Sequence, residues 1–179
     1  MKSYHKNKDR FVTKVFQDVF NKYDLMNDLM SFGIHRLWKK NFIHWLNPQK
    51  NTTLIDVASG TGDIAKLYLN KIGYKGCVCC VDENKGMLDL NKRKFKVNTN
   101  VKWFCNNAEK LPFKKNYFDY YTISFGIRNV NNLNNALREA YRVLKPGGRF
   151  LCLEFSKVKN KILNKDLLTI SISGSSGIS

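Results

Sequence analysis

The sequence predicts an α/β fold with a mainly parallel sheet and amino-terminal helices, and three observations support this prediction. From Thr53 onward, short apolar runs alternate with segments of helical periodicity, which is typical of parallel βαβ units with right-handed crossovers. A glycine turn at residues 58–62 separates the first apolar run from the first of these helical segments. The Lys145–Gly148 segment, which reads Lys-Pro-Gly-Gly, is a strong stop signal before the last predicted strand.

The periodicity places the elements in order along the chain. Apolar residues recur at helical spacing over residues 11–46 and predict two or three amphipathic helices. These helices either cover one side of the sheet or use their basic faces to contact a membrane surface. We predict strands near residues 53–57, 76–81, 100–104, 118–124 and 148–154. We predict further helices near residues 62–71, 84–96, 132–144 and 160–169.

The composition indicates a single domain in a strongly basic chain. Residues 11–170 form the predicted domain, and residues 1–10 and the Ser- and Gly-rich residues 171–179 are expected to be disordered. The chain has 31 Lys and Arg against 14 Asp and Glu, a net charge of +17. This charge favours phosphate-bearing partners, either nucleic acid or anionic lipid, or reflects a biased, solvated surface. No apolar run reaches the length of a membrane span.

The cysteines and histidines do not suggest a metal site. The five cysteines are an odd number, which favours reduced thiols over a disulfide framework. Cys77, Cys79 and Cys80 lack the spacing of a zinc site, and we interpret them as small apolar residues of a buried strand. The three histidines are scattered along the chain.

The glycine turn carries the strongest functional signal. In the segment Leu54–Asp63, an apolar run ends in a carboxylate and is followed by Gly60 and Gly62. Without a Cβ, these glycines allow the backbone to approach a ligand closely. The segment Gly60–Ala65 also matches the dinucleotide-binding pattern G-x-G-x-x-G/A, so the glycines alone leave the ligand open.

Two carboxylates favour a cationic ligand at this turn. Asp56 and Asp63 flank the glycines, and no basic residue lies between residues 52 and 65. Two anions 4 Å apart repel each other by about 4 kcal/mol at an effective dielectric constant of 20, so a pyrophosphate would be poorly bound. S-adenosylmethionine (SAM), which carries a sulfonium and an ammonium, is the nucleoside that fits.

Polar residues follow the next three predicted strands. Asp82 ends the second strand, about 20 residues beyond the turn, where a carboxylate accepts hydrogen bonds from ribose hydroxyls; the alternative is a helix cap. The segment Asn106–Phe113 follows the third strand and is a weaker candidate for contact with an adenine. The segment Phe118–Asn129 brings polar residues to the end of the fourth strand. In an open α/β sheet this edge holds the ligand.

Three long segments carry a resemblance to a known family. The segments Asn21–Lys39, Thr122–Val130 and Tyr141–Lys157 resemble three signatures of the ubiquinone/menaquinone biosynthesis C-methyltransferase family. The resemblance extends from about Phe11 to Lys157. It implies a Rossmann-like class I methyltransferase sheet and SAM-dependent C-methylation of a polyprenyl benzoquinol.

The resemblance also implies individual cofactor contacts. Ala58 stands where many class I enzymes have their first glycine, a departure that this family tolerates. The implied contacts with SAM are Thr61, Asp82, Asn107, Ala108 and Ser124, which join Asp56, Gly60 and Gly62 of the turn.

The catalytic hypothesis concerns the segment after the fourth strand. Arg128 is expected to stabilise the phenolate form of the quinol; the alternative is a structural ion pair. Asn129 is expected to orient the ring, and Tyr23 or Asp24 to close over the site. No histidine or carboxylate is an evident general base, so water is expected to take the proton.

The carboxyl-terminal part departs from the family pattern. The family continues past the fifth strand with an antiparallel pair of strands, whereas residues 161–179 match nothing in that pattern. We therefore expect the last two strands of the family fold to be missing and the fifth strand to be an exposed edge, which favours aggregation. This departure leaves a catalytically weak scaffold of a quinone-biosynthesis complex as one alternative function.

The expected partners follow from the hydrophobic substrate that the resemblance implies and from the net positive charge of the chain. We expect peripheral contact with an anionic membrane that weakens with salt, and a homodimer or a quinone-biosynthesis complex. A location on the matrix side of the mitochondrial inner membrane is inferred from the family, since residues 1–10 do not form a clear transit peptide. An RNA methyltransferase is the other alternative, but nucleic acid is not the expected partner, because no Asn-Pro-Pro-Tyr-type motif follows the fourth strand.

Overall fold

A computed structural model describes residues 34–95, 100–156 and 166–173. The predictions made for residues 1–33, including Tyr23 and Asp24, lie outside these residues. The described elements, in chain order, are α1 (Ile34–Leu46), β1 (Thr52–Val57), α2 (Asp63–Lys71), β2 (Gly76–Asp82), α3 (Lys85–Lys94), β3 (Val101–Cys105), β4 (Phe118–Ser124), a 3-10 helix (Ile127–Asn129), α4 (Leu133–Val143), β5 (Leu144–Ser156) and β6 (Asp166–Ser173).

The six described strands form one sheet in the order β3-β2-β1-β4-β5-β6. The first five strands run parallel, and β6 runs antiparallel to β5. The strand order reverses between β1 and β4, so the connections that leave these two strands diverge and open a crevice at their carboxyl ends. The predicted α/β class and its mainly parallel sheet are confirmed.

Helices bury both faces of the sheet. On one face, Phe42 and Leu46 of α1 pack with Tyr68 and Leu69 of α2 in a buried cluster. On the other face, the small residues of α4 pack in a second cluster. Because β1 and β4 are buried on both sides, consecutive residues are buried along each of them and not only every second one. Among the described helices, none combines the length and the apolar character that a membrane crossing needs.

Arg149 of β5 fixes α1 on the sheet. Its guanidinium donates to the backbone oxygens of Leu46 at 2.8 Å and Trp45 at 3.0 Å. These carbonyls end the helix and have no partner within it, so a cation there stabilises the helix terminus. The predicted helical cover is therefore present for the part of it that the structure describes.

The helix predicted at residues 160–169 is wrong where the structure describes it. Residues 166–169 belong to β6, which also includes residues 171–173 of the predicted disordered tail. The run Asp-Leu-Leu-Thr-Ile-Ser-Ile-Ser alternates apolar and polar residues and is rich in β-branched residues, which favours a strand. Since β6 pairs with β5 over residues 149–156, the expected exposed edge at the fifth strand is also wrong.

The strand β5 begins earlier than predicted, at Leu144. Phe118 of β4 pairs with Leu144 and Tyr120 pairs with Arg149, so the register shifts between them. Gly147 has a φ of +75°, a conformation that favours glycine. The Lys-Pro-Gly-Gly segment is therefore an irregularity inside a strand and not a boundary before it.

Two of the three clustered cysteines fit their predicted role. Cys79 and Cys80 are buried in β2, whereas Cys77 is exposed near its beginning. Burial raises the pKa of the Cys79 thiol to about 11. This thiol is therefore protonated near neutral pH, as expected for an apolar packing residue.

Candidate functional site

A cavity of about 420 Å³ lies at the carboxyl ends of the central strands. It occupies the crevice where the strand order reverses, which is the usual ligand site of an open α/β sheet. Its volume is within the range of small-molecule sites. Its lining consists of Lys39, Val57, Ala58, Ser59, Gly60, Thr61, Asp82, Glu83, Asn84, Met87, Asn106, Ala108, Ile123, Ser124, Phe125, Gly126, Arg128, Asn129 and Val130.

The structure brings most of the predicted site residues to this cavity. Asp56, Gly62 and Asn107 are absent from the lining, and Tyr23 lies outside the described residues. The Asn107 side chain instead accepts a hydrogen bond from the Glu109 backbone N–H at 2.7 Å. The predicted residues that line the cavity are Gly60, Thr61, Asp82, Ala108, Ser124, Arg128 and Asn129.

The two glycines of the turn have different roles. Gly60 has a φ of +49°, and a Cβ there would meet no atom closer than 4.0 Å, so its open side belongs to the cavity. Gly62 has a φ of +76°, and a Cβ there would lie 2.8 Å from the Trp103 ring. The close packing of Trp103, rather than the approach of a ligand, accounts for glycine at position 62.

Asp82 joins the turn after β1 to the turn after β2. Its Oδ2 accepts from the Gly60 N–H at 2.8 Å, and its Oδ1 accepts from the Asn84 N–H at 2.9 Å. The cap of α3 is Asn84, whose side chain accepts from the Met87 N–H, so Asp82 is not the cap itself. A carboxylate has about four acceptor directions. Two of them therefore remain for a ligand in the cavity.

Asn91 supports the same turn from α3 and was not predicted. Its side chain is fully buried and donates to the backbone oxygen of Gly60. The carbonyl and the N–H of Gly60 are thus held by Asn91 and Asp82. A buried asparagine on the apolar side of a helix is the signal that would have indicated this contact.

Asp56 lies beneath the cavity and is almost completely buried. Its Oδ1 accepts from the Thr122 hydroxyl at 2.8 Å, whereas its Oδ2 has no hydrogen-bond partner among the described residues. Burial raises the pKa of the Asp56 carboxyl to about 7, although the Thr122 hydrogen bond and the Lys39 charge oppose this shift. Asp56 therefore titrates near neutral pH.

A basic residue does lie at the turn, contrary to the prediction from the neighbouring sequence. The Lys39 ammonium of α1 lines the cavity and forms a 2.8 Å ion pair with Asp63. Burial alone would raise the pKa of Asp63, but the Lys39 charge and hydrogen bond lower it below its ordinary value. The prediction considered only residues close in sequence, whereas α1 brings Lys39 in from 24 positions away.

The lining of the cavity holds two basic and two acidic residues. The two basic lining residues, Lys39 and Arg128, pair with Asp63 and Glu154, which do not line the cavity. Lining carboxylates remain at Asp82 and Glu83. The carboxylates that favour a cation in the cavity are therefore Asp82 and Glu83, and not the flanking Asp56 and Asp63 of the prediction, which do not line it.

Arg128 fits both of its interpretations. Its side chain is about half exposed, lines the cavity and lies 2.8 Å from a carboxylate oxygen of Glu154. The structural ion pair is thus present, and the same guanidinium faces the cavity. A guanidinium has five N–H donors, so an ion pair with one carboxylate does not by itself exclude a contact with a ligand.

Ala58 and Gly126 approach each other closely at the edge of the cavity. Ala58 has a φ of +52°, a left-handed conformation that costs a residue with a Cβ about 1–2 kcal/mol. A Cβ on Gly126 would collide with the Cβ of Ala58. The glycine at position 126 therefore accommodates the alanine at position 58, where the generic motif has a glycine.

We predict that Gly126→Ala destabilises the protein and that Ala58→Gly rescues it. The single substitution creates the collision and should lower the free energy of unfolding by about 1–3 kcal/mol. The φ of Gly126, −115°, suits alanine. With glycine at position 58, the next atom is Ile123 Cγ1 at 3.5 Å. Urea unfolding of both single variants and the double variant measures these free energies. A double variant that is no more stable than Gly126→Ala would contradict the prediction.

Solved structures resemble this fold. The YcgJ protein from Bacillus subtilis superposes with a TM-score of 0.63 at 25% identity, over 72% of this chain and 53% of that chain. A SAM-dependent methyltransferase from Aquifex aeolicus superposes with a TM-score of 0.62 at 21% identity, over 69% of this chain and 66% of that chain. The sheet and its cavity define the Rossmann-like fold of class I methyltransferases.

Sequence comparison identifies the family. The model of the ubiE/COQ5 methyltransferase family matches residues 3–171, and the chain belongs to this family. The ubiquinone/menaquinone biosynthesis C-methyltransferase UbiE of Rickettsia bellii is 52% identical over 162 residues, which are 87% of this chain and 65% of that protein. The UbiE protein of Brucella suis is 50% identical over 163 residues, which are 88% of this chain and 61% of that protein. This chain thus spans about 65% of the length of its first relatives.

Proposed function

We propose that this protein transfers a methyl group from SAM to a ring carbon of a polyprenyl benzoquinol in ubiquinone or menaquinone biosynthesis. The observation that carries the proposal is the cavity at the switch point of the sheet, with the Asp82 and Glu83 carboxylates in its lining. The names of the relatives, UbiE C-methyltransferases at about 50% identity, support the reaction and the substrate class.

The residues of the cavity fit SAM. The Asp82 carboxylate keeps two acceptor directions for ribose hydroxyls, and Gly60 leaves space where a side chain would stand. Asp82 and Glu83 place negative charge in the lining, which stabilises a sulfonium and an ammonium. When bound, SAM supplies an electrophilic methyl group.

The other wall of the cavity supplies groups for the quinol. Arg128 and Asn129 line it directly after β4. The Arg128 guanidinium would stabilise the phenolate oxygen that develops when the quinol loses a proton, and Asn129 would fix the ring by a hydrogen bond. Holding a reacting carbon at about 3–3.5 Å from its partner is worth roughly 7–11 kcal/mol.

The proposal is tested by calorimetric titration with SAM, followed by a methyl-transfer assay on a short-chain benzoquinol. We expect SAM to bind with a stoichiometry of one and the quinol to gain one methyl group on carbon. Absence of SAM binding in the folded protein would refute the proposal. Binding of SAM without methyl transfer to the quinol would refute the proposed substrate but not the proposed cofactor.

We predict that Arg128→Ala lowers the rate of methyl transfer about tenfold and leaves SAM affinity within a factor of two. The loss of one charge-assisted hydrogen bond to the phenolate, about 1.5 kcal/mol, corresponds to this factor. Arg138→Ala, a change on the surface of α4, is the control and should leave the rate unchanged. An unchanged rate in Arg128→Ala would discard the proposed role.

Contact with an anionic membrane is part of the proposal, and the outward face of α1 supports it. Ile34, Leu37 and Trp45 are each 44–56% exposed, and exposed Arg36 and Lys40 stand beside them. The helix contains no acidic residue. Apolar side chains next to cations on one helix are typical of helices that lie in the headgroup region of a bilayer.

Flotation with vesicles tests this contact. We expect the protein to float with vesicles that contain phosphatidylglycerol, and less so at high salt. The double substitution Leu37→Ser with Trp45→Ser should reduce flotation, and Tyr141→Ser on α4 should not. Equal flotation of all variants would exclude α1 as the contact surface.

The cellular location and assembly are further parts of the proposal. A place on the matrix side of the mitochondrial inner membrane, and assembly as a homodimer or with other quinone-biosynthesis proteins, rest on the family resemblance. Fractionation of mitochondria and sedimentation of the purified protein test them. Recovery outside mitochondria, or a monomer that copurifies with no such protein, would argue against them.

A further inference from the structure

Two loops each form one wall of the cavity. The loop after β3 contributes Asn106 and Ala108, and the connection from β4 to α4 contributes Arg128, Asn129 and Val130. In the proposed reaction, the first wall lies on the cofactor side and the second on the quinol side. The distance between the two walls therefore determines the relative position of cofactor and substrate.

The Glu109 side chain joins these two walls. Its Oε1 accepts hydrogen bonds from the backbone N–H groups of Asn131 and Asn132, each at 3.0 Å. Asn132 is the N-cap of α4, and its own side chain accepts from the Asn135 N–H. A carboxylate is well placed at this terminus, because the first N–H groups of a helix have no partner within it and carry partial positive charge.

The loop that carries Glu109 is anchored independently. Glu139 of α4 accepts from the Leu111 N–H at 2.7 Å. Arg142 of the same helix donates to the backbone oxygens of Phe113 at 2.7 Å and Leu111 at 3.0 Å. These contacts hold the loop on the second half of α4. Loss of the Glu109 carboxylate would thus release the connection before α4 and not the loop itself.

We propose that Glu109 is a positioning residue that holds the Arg128–Val130 segment against the cofactor side of the cavity. This inference rests on the proposed function for its kinetic consequences, but its structural part does not require activity. Glu109 touches neither cofactor nor substrate in this scheme, since it does not line the cavity. It acts through the backbone of residues 131 and 132.

The Glu109→Ala variant should separate turnover from cofactor binding. We expect kcat to fall about tenfold or more, since small misplacements of reacting groups are costly, and the Kd for SAM to stay within a factor of two. Glu109→Gln keeps an oxygen acceptor of the same reach and should restore kcat to within about threefold. Glu109→Asp, which is shorter by one methylene, should behave like the alanine variant.

Hydrogen exchange provides a readout that does not depend on catalysis. The amides of Asn131 and Asn132 should exchange at least tenfold faster in Glu109→Ala than in the wild type, and near the wild-type rate in Glu109→Gln. Glu139→Ala is the matched control, because it removes a carboxylate from the same loop network. It should lower the unfolding temperature without a selective increase in exchange at residues 131 and 132.

The outcomes are distinct. Unchanged exchange at residues 131 and 132 in Glu109→Ala, or equal failure of the glutamine and alanine variants, would overturn the inference. A parallel loss of SAM affinity and kcat would overturn it as well, because that is the pattern of general destabilisation. If the wild type fails to bind SAM, the proposed function fails, while the exchange data still decide the role of Glu109.

Discussion

Replacing Asp82 with alanine is expected to weaken SAM binding about 100-fold or more. Hydrogen bonds to a charged group contribute about 1.5–3 kcal/mol each, and the carboxylate has room for two bonds to the ribose. The same change frees the N–H groups of Gly60 and Asn84, which Asp82 holds at 2.8 and 2.9 Å. The cavity thus loses both a ligand contact and the support of its glycine turn.

Calorimetric titration of the folded variants with SAM measures this effect. Asp82→Asn should fall between alanine and the wild type, because it keeps one acceptor oxygen but presents an N–H₂ to a backbone donor. Asp89→Ala is the matched control, because it also removes one carboxylate. Asp89 lies in an exposed ion pair with Lys92 of α3. Affinity of Asp82→Ala within threefold of the wild type would contradict the assigned role.

The strands and most of the cavity could be predicted because their signals are local. β1, β2 and β4 are buried on both faces, so each has a run of consecutive buried residues instead of an alternating pattern. Parallel strands bring their carboxyl ends to one edge, so a polar residue at the end of a run is expected at the ligand site. This rule predicts Asp82, and the family resemblance implies Ser124; both line the cavity.

What could not be predicted depends on contacts between distant parts of the chain. Lys39 and Asn91 reach the glycine turn from helices that no local pattern assigns to it. The difference between Asn106, which lines the cavity, and Asn107, which does not, depends on the exact path of a loop. The strand β6 was missed because a short run with two adjacent leucines satisfies both periodicities.

The second large effect concerns the pH dependence of stability, which we expect Asp56 to dominate between pH 4 and pH 7. Burial raises the pKa of Asp56 from 3.8 to about 7 in the folded protein. Below pH 4 the carboxyl is protonated in both the folded and the unfolded state, and its stabilising contribution is fully present. As the pH rises to 7, only the folded state keeps the proton, so this contribution is lost; the difference corresponds to about 4 kcal/mol.

The Asp56→Asn variant isolates this contribution. Asparagine does not titrate and can still accept the hydrogen bond from Thr122, so the unfolding free energy of the variant relative to the wild type should rise by about 4 kcal/mol between pH 4 and pH 8. All other groups are the same in the two proteins, so their contributions cancel in the difference. Asp89→Asn should give a flat difference, and a rise below 1 kcal/mol in Asp56→Asn would contradict the prediction.

The same titration connects the buried carboxyl to the proposed cofactor. Asp56 is followed directly by Val57 and Ala58, which line the cavity, so a cation bound there favours the ionised form of Asp56. Below pH 7 the carboxyl must release a proton when the cation binds. SAM affinity of the wild type should therefore increase from pH 6 to pH 8, by less than tenfold per pH unit, and this increase should be absent in Asp56→Asn. Calorimetry in buffers of different ionisation enthalpy measures the released proton directly.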